Sequence, residues 1–227
     1  MKDFNLQRHL KLVLIASLLF AGISNSVNAG PVLIQDAYTN TRLAANQNYG
    51  NDPSLKVAAN KTSFLQFAVN SYFPTGIVSN DIAKATLKIF VNSVNTAGSF
   101  NVSSVVNTWA EESIKGNNQP SIGTQLIGPI AITSTSSKHW ISIDITNQVK
   151  DWLDGISNNN GLVLVAVGGI NANFDSKESS AFSHAPEIDI IMESTAGLQG
   201  PKGDAGPAGA IGATGLTGAT GVQGLTR

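Results

Sequence analysis

The sequence predicts an all-β protein: a jelly-roll-type β-sandwich with one short helix, followed by a collagen-like Gly-X-Y tail. Three observations carry this. Between Pro31 and Glu193, apolar residues recur at every second position in short runs separated by turn residues, the period of half-buried strands. The chain has no cysteine, so a domain of this length holds itself by its core rather than by disulfides. From Gly197 to Gly224 glycine stands at every third position without a break, the register demanded by the crowded axis of a triple helix.

Residues 1–29 read as a secretory signal peptide. Lys2, Arg8 and Lys11 form a basic start, and Leu12 to Ile23 an apolar stretch of twelve residues. Val27 and Ala29 then stand at −3 and −1 of a cleavage site before Gly30, completing the pattern. The apolar stretch is shorter than the roughly 18–20 residues that span a bilayer. The expected location is secreted, extracellular or at the cell surface, with no membrane attachment after cleavage.

Residues 30–193 form the folded domain. Leu65, Phe67 and Val69 alternate with Gln66 and Ala68. Ala85, Leu87, Ile89 and Val91 alternate with Thr86, Lys88 and Phe90, and Ile141, Ile143 and Ile145 with Ser142 and Asp144. Leu162 to Val167 is a continuous apolar run leaving the turn Asn158-Asn159-Asn160-Gly161, as a central strand would be. Ile188 and Ile190 close the domain, and weaker strand signals lie at 32–38, 55–58, 100–106 and 122–132. One segment changes period: Ile145, Val149 and Trp152 fall at i, i+4 and i+7, with Thr146 as its cap and Gly155 as its stop.

Charge and catalytic chemistry narrow the function. The domain holds nine Lys and Arg against thirteen Asp and Glu, with no basic stripe dense enough for a phosphate backbone, which excludes nucleic acid. Five of the nine cations but only three of the acids fall in residues 30–110, so a preference for anions belongs to that half. There is no G-x-S-x-G nucleophile elbow. Glu111 and Glu112 are adjacent and point apart, unlike a glycosidase pair. His139 and His184 sit in polar segments and read as solvated surface residues. The chain is read as non-enzymatic.

The order of short motifs resembles the DNRLRE domain family. These are Gln35-Asp36-Ala37-Tyr38, Asn48-Tyr49-Gly50, Ser54-Leu55-Lys56-Val57 and Ser63-Phe64-Leu65-Gln66-Phe67, then Ala85-Thr86-Leu87 and Thr108-Trp109-Ala110-Glu111. Asp144 to Val149, Trp152, Asn159-Asn160-Gly161-Leu162, Phe174 to Glu178 and Pro186-Glu187-Ile188 complete the series across residues 32–192. Asp175-Ser176-Lys177-Glu178 is the nearest match to the run that names the family. The resemblance implies a secreted β-sandwich, in some relatives a carbohydrate-binding module for acidic polysaccharide that uses a basic face. This domain is acidic overall.

The expected partner is therefore a polysaccharide or cell-surface glycan. Tyr38 and Tyr49, near loop starts, are the candidate stacking rings, and Arg42, Lys56, Lys84 and Lys88 the candidate cationic contacts. Trp109 and Trp152 are expected in the core. No cofactor is expected beyond a structural calcium where Asp36 on the first strand meets Asp189 on the last.

Residues 194–227 form the tail. Ten glycines in register extend roughly 90 Å at about 3.1 Å per residue. Pro201 and Pro207 occupy X, while Thr214, Thr217, Thr220 and Thr226 occupy Y. A homotrimer through this tail is expected.

Overall fold

The computed structural model describes residues 30–179 and 184–193. Residues 1–29 and 194–227, where a signal peptide and a collagen-like tail are expected, lie outside the described residues, with every expectation placed on them. Among the described residues, ten strands and two short α-helices follow in order: β1 (Leu33–Asn40), β2 (Ser54–Ala58), β3 (Lys61–Phe67), α1 (Val69–Tyr72), β4 (Ile82–Thr96), β5 (Gly98–Val105), β6 (Ile122–Ile132), β7 (His139–Asp144), α2 (Thr146–Leu153), β8 (Leu162–Val167), β9 (Asn171–Asp175) and β10 (Glu187–Met192). The strands join in one antiparallel network, β10-β4-β9-β2-β3-β8-β5-β6, with β1 added to β3 and β7 to β4.

That network curls until its two ends share a core. β2 and β3 are paired only at Ala58 and Lys61, where the hairpin turns. Phe174 of β9 and Phe100 of β5 lie four strands apart along the sheet, yet their rings meet edge to face at 5.7 Å. A flat sheet with strands about 4.8 Å apart would separate them by nearly 20 Å. The buried cluster draws on both halves: Leu65, Phe67, Val102 and Leu164 from one, Leu55, Leu87, Ile89, Ala172 and Ile188 from the other. The fold is thus all-β and sandwich-like. A second, smaller cluster of Ala37, Phe64, Val105, Ile114 and Val163 lies on the other side of the β1-β3-β8-β5 half, with Trp109 packed against it.

Long β4 organises the functional half. It pairs with β10 through Ile82–Lys88, with β7 through Thr86–Val91, and with β9 from Val91 to Thr96 across two register shifts. Ala85, Leu87, Ile89 and Val91 are fully buried, so Lys84, Thr86, Lys88 and Phe90 necessarily face outward. Beneath this half α2 buries Ile145, Val149 and Trp152, the stripe expected at i, i+4 and i+7.

Three local readings need correction. Thr146 is not the helix cap: the cap position is Ile145, without a side-chain bond. The Thr146 hydroxyl instead donates to Asp144 Oδ1 at 2.6 Å and accepts the Ala85 N–H at 3.0 Å, tying α2 to β4. Val69 does not continue β3 but opens α1. Strand β9 escapes a propensity reading because two of its five residues are Asn, which strands disfavour.

The Asn-rich turn before β8 is a clamp. Asn159 donates its side-chain amide to Phe67 O at 2.8 Å, Asn160 to Val106 O at 2.7 Å, and Trp109 its indole N–H to Asn160 O at 2.9 Å. Gly161 ends it at φ +101°, where a Cβ would lie 2.3 Å from Leu65 O. Gly161→Ala should destabilise the domain by about 1–3 kcal/mol through backbone strain alone, with the clash adding more. A urea midpoint equal to wild type would show that the turn rebuilds freely.

Candidate functional site

The outward side chains of β4 form a strip that two neighbours widen. At one end, Lys84, Thr86 and Lys88 line a groove of about 520 Å³ with Ser142 of β7 and Asp189 and Ile191 of β10. At the other, Phe90 and Asn92 line a hollow of about 300 Å³ with Lys138 and His184. Trp140 stands opposite Phe90 in the β4–β7 register, between the two. It is 37% exposed, a large aromatic on a face where the sheet leaves it uncovered.

Its rings are held from behind. Phe90 stacks on His184 at 3.9 Å and meets Trp140 edge to face at 5.5 Å, while Trp140 and His184 stand perpendicular at 5.7 Å. His184 Nδ1 lies 3.1 Å from buried Asp175 Oδ2, and the other Asp175 oxygen accepts the Asn92 amide at 2.6 Å. Asn92 Oδ1 in turn accepts Lys138 Nζ at 3.2 Å. His184 is therefore a packed, anchored ring and not the solvated side chain expected from its polar surroundings.

The lysines of the strip are partly neutralised. Lys88 Nζ lies 2.6 Å from Glu187 and 3.2 Å from Asp189, and 5.7 Å from the Trp140 ring centre. The hydrogen bonds it donates to Glu187 and then to Asp189 push its pKa up. Asp144 is held below the usual carboxylate range, first by the Thr146 hydroxyl and N–H and then by the charge of Lys84. Stability from Asp144 is accordingly present above its unfolded pKa of 3.8 and lost as pH falls through the lower folded value.

The other candidate residues gather elsewhere. Tyr38 and Tyr49 stack at 4.2 Å and 22°. Lys56 Nζ donates to Tyr38 Oη and to Asp52 Oδ2, both at 3.1 Å. Tyr38 is only 3% exposed, and burial followed by the Asp52 charge pushes its pKa up. The outer ring of that pair is Tyr49. Arg42 is exposed in the β1–β2 connection and joins neither group. The structure thus groups Tyr38, Tyr49 and Lys56, groups Lys84 with Lys88, and adds Trp140, Phe90 and His184, which the sequence reading left out. The signal for Trp140 was its place in an alternating run opposite the apolar Ile141 and Ile143.

A third cluster gathers Asp36, Glu111, Lys177 and Glu178. Asp189 was expected beside Asp36; it pairs instead with Lys88. Burial, ahead of the neighbouring charges, raises the Asp36 pKa to about 7 and that of Glu111 in the same direction. A further cavity of about 370 Å³ at the start of α2, between Leu126 and Asp151, has no aromatic lining.

A curled antiparallel sheet with an exposed aromatic held on a groove of mixed polar side chains has the build of a carbohydrate-binding domain. The chain belongs to carbohydrate-binding module family 96, whose family model matches residues 31–190. No curated relative matches the chain.

Proposed function

We propose that this is a secreted, non-catalytic surface or matrix protein, whose jelly-roll head binds polysaccharide along the outer face of β4 and is presented on a collagen-like, trimerising tail. The observation that carries the binding reading is exposed Trp140, flanked by the Lys84–Lys88 groove and the Phe90–His184 hollow. From Lys84 to Asn92 there are eight residue steps, roughly 26 Å at about 3.3 Å each, room for several sugar units in a row. An aromatic face stacks on the C–H side of a pyranose, while the surrounding amides, acids and ammonium groups bond its hydroxyls.

The charge of the strip points to a neutral glycan. Lys84 lies near the carboxylate of Asp144, and Lys88 is already engaged by those of Glu187 and Asp189. A polyuronate would meet those carboxylates. Calorimetry of the head on a panel of neutral and acidic polysaccharides is the test. Binding to a neutral polymer, changing less than about twofold between 0.1 and 0.5 M salt, is expected for a pairing without net charge. Binding only acidic polymers, with steep salt dependence, would move the site to another face; binding to none would end the reading.

The support for trimerisation is the unbroken glycine period. Three linked heads turn weak single-site contacts into useful avidity. Sedimentation of the full chain at low temperature should show trimers that vanish when residues 194–227 are removed, and Gly212→Val should lower their melting point. A full-length monomer under all conditions would leave the tail a linker.

A further inference from the structure

We propose that Asp36, Glu111 and Glu178 form a calcium site, in which the Lys177 ammonium is an exchangeable stand-in for the metal. The three carboxylates come from β1, from the connection after β5 and from the turn after β9. One oxygen from each lies within 4.8 Å of the others. Asp36 has no exposed surface. Its Oδ2 accepts the Lys177 backbone N–H at 2.9 Å, but its Oδ1 is buried without a hydrogen-bond donor, as is Glu178 Oε2.

Lys177 Nζ reaches all three acids, 3.5 Å from Asp36 Oδ1, 2.5 Å from Glu178 Oε1 and in contact with Glu111 Oε1. Three carboxylates against one ammonium leave a net charge of −2 when all are ionised, so the lysine compensates the cluster only in part. Buried carboxylate oxygens that accept no hydrogen bond and are only partly compensated in charge are costly. A divalent cation among them cancels the three acids to −1 and gives both orphaned oxygens a partner.

The donors are all carboxylate oxygens, which selects a hard cation. Calcium binds oxygen at about 2.3–2.6 Å, so its ligands can stand up to about 5 Å apart across the ion; magnesium, at about 2.0–2.1 Å, draws them within about 4.2 Å. The three oxygens, all within 4.8 Å of one another, lie inside the calcium span, and a set made only of protein carboxylates suits calcium, because magnesium keeps most of its waters. Lys177 has a flexible four-carbon stem and a side chain already 27% exposed, so its ammonium has a path to solvent.

The test is titration of the chelator-treated full-length chain with CaCl₂ and, separately, MgCl₂, by calorimetry and thermal unfolding. Calcium should raise Tm by about 5–10 °C at a hundredfold excess over Kd, and magnesium by less than half as much. Glu178→Gln should weaken calcium binding at least tenfold. Lys177→Met removes the internal competitor and should tighten it. No calcium binding at millimolar concentration, or Lys177→Met binding more weakly than wild type, overturns the proposal. Should Glu178→Gln fail to fold by circular dichroism, the direction of the Lys177→Met change decides alone.

Discussion

Trp140→Ala should weaken polysaccharide binding by ten- to a hundredfold while leaving the domain folded. Central aromatic anchors are commonly worth about 2 kcal/mol or more, roughly a thirtyfold change in Kd. Stability should move far less. Trp140 is outside the buried cluster, and its losses are the edge-to-face contacts with Phe90 and His184, about 0.5–1.5 kcal/mol for such a pair. For a domain of this size that is a Tm change of about 1–6 °C. Calorimetry against the bound polymer and a thermal melt on the same sample separate the two effects. Unchanged affinity would remove the outer face of β4 from consideration.

Phe174→Ala should do the reverse. Phe174 is fully buried and touches Phe100 across the two halves of the sheet. Removing a buried phenylalanine side chain costs about 3–5 kcal/mol, a large part of a domain's total stability of about 5–15 kcal/mol. Tm should fall by about 6–20 °C, and Phe100→Ala should behave alike. Because the two rings share one contact, the double variant should cost less than the sum. A loss below about 1 kcal/mol would mean that the halves do not share a core.

These two residues illustrate what the sequence could and could not disclose. Much of the sheet was legible: β8 falls on the continuous apolar run and β6 on the weaker signal at 122–132, and the buried stripe of α2 lies where its period placed it. Strand β9 was not, although Ala172 and Phe174 alternate with Asn171 and Asn173, because propensity argued against it. Of the candidate site, Lys84 and Lys88 were legible from period two alone. Their neutralisation was not, since Glu187 and Asp189 reach Lys88 only through the β10–β4 register. His184 was misjudged for a similar reason: its ring contacts come from β4 and β7, distant in sequence, and only Asp175 of β9 is near it in the chain. The acidic cluster was half visible. Asp36, Glu111 and Glu178 stood in three of the motifs that carried the sequence resemblance, but nothing local says that β1, the connection after β5 and the turn after β9 converge.

The three tryptophans provide the most direct test of where sugar binds. Trp109 donates its indole N–H to Asn160 and Trp152 is 2% exposed, so both report on the interior, while Trp140 reports on the outer face of β4. In an indole-labelled NMR titration with the polysaccharide that binds most tightly, the Trp140 signal should shift or broaden, together with the Lys84–Asn92 amides. The Trp109 and Trp152 signals, and the amides around Tyr49 and Arg42, should stay in place. Movement around Tyr49 and Arg42 with Trp140 unchanged would contradict the assignment of the binding face.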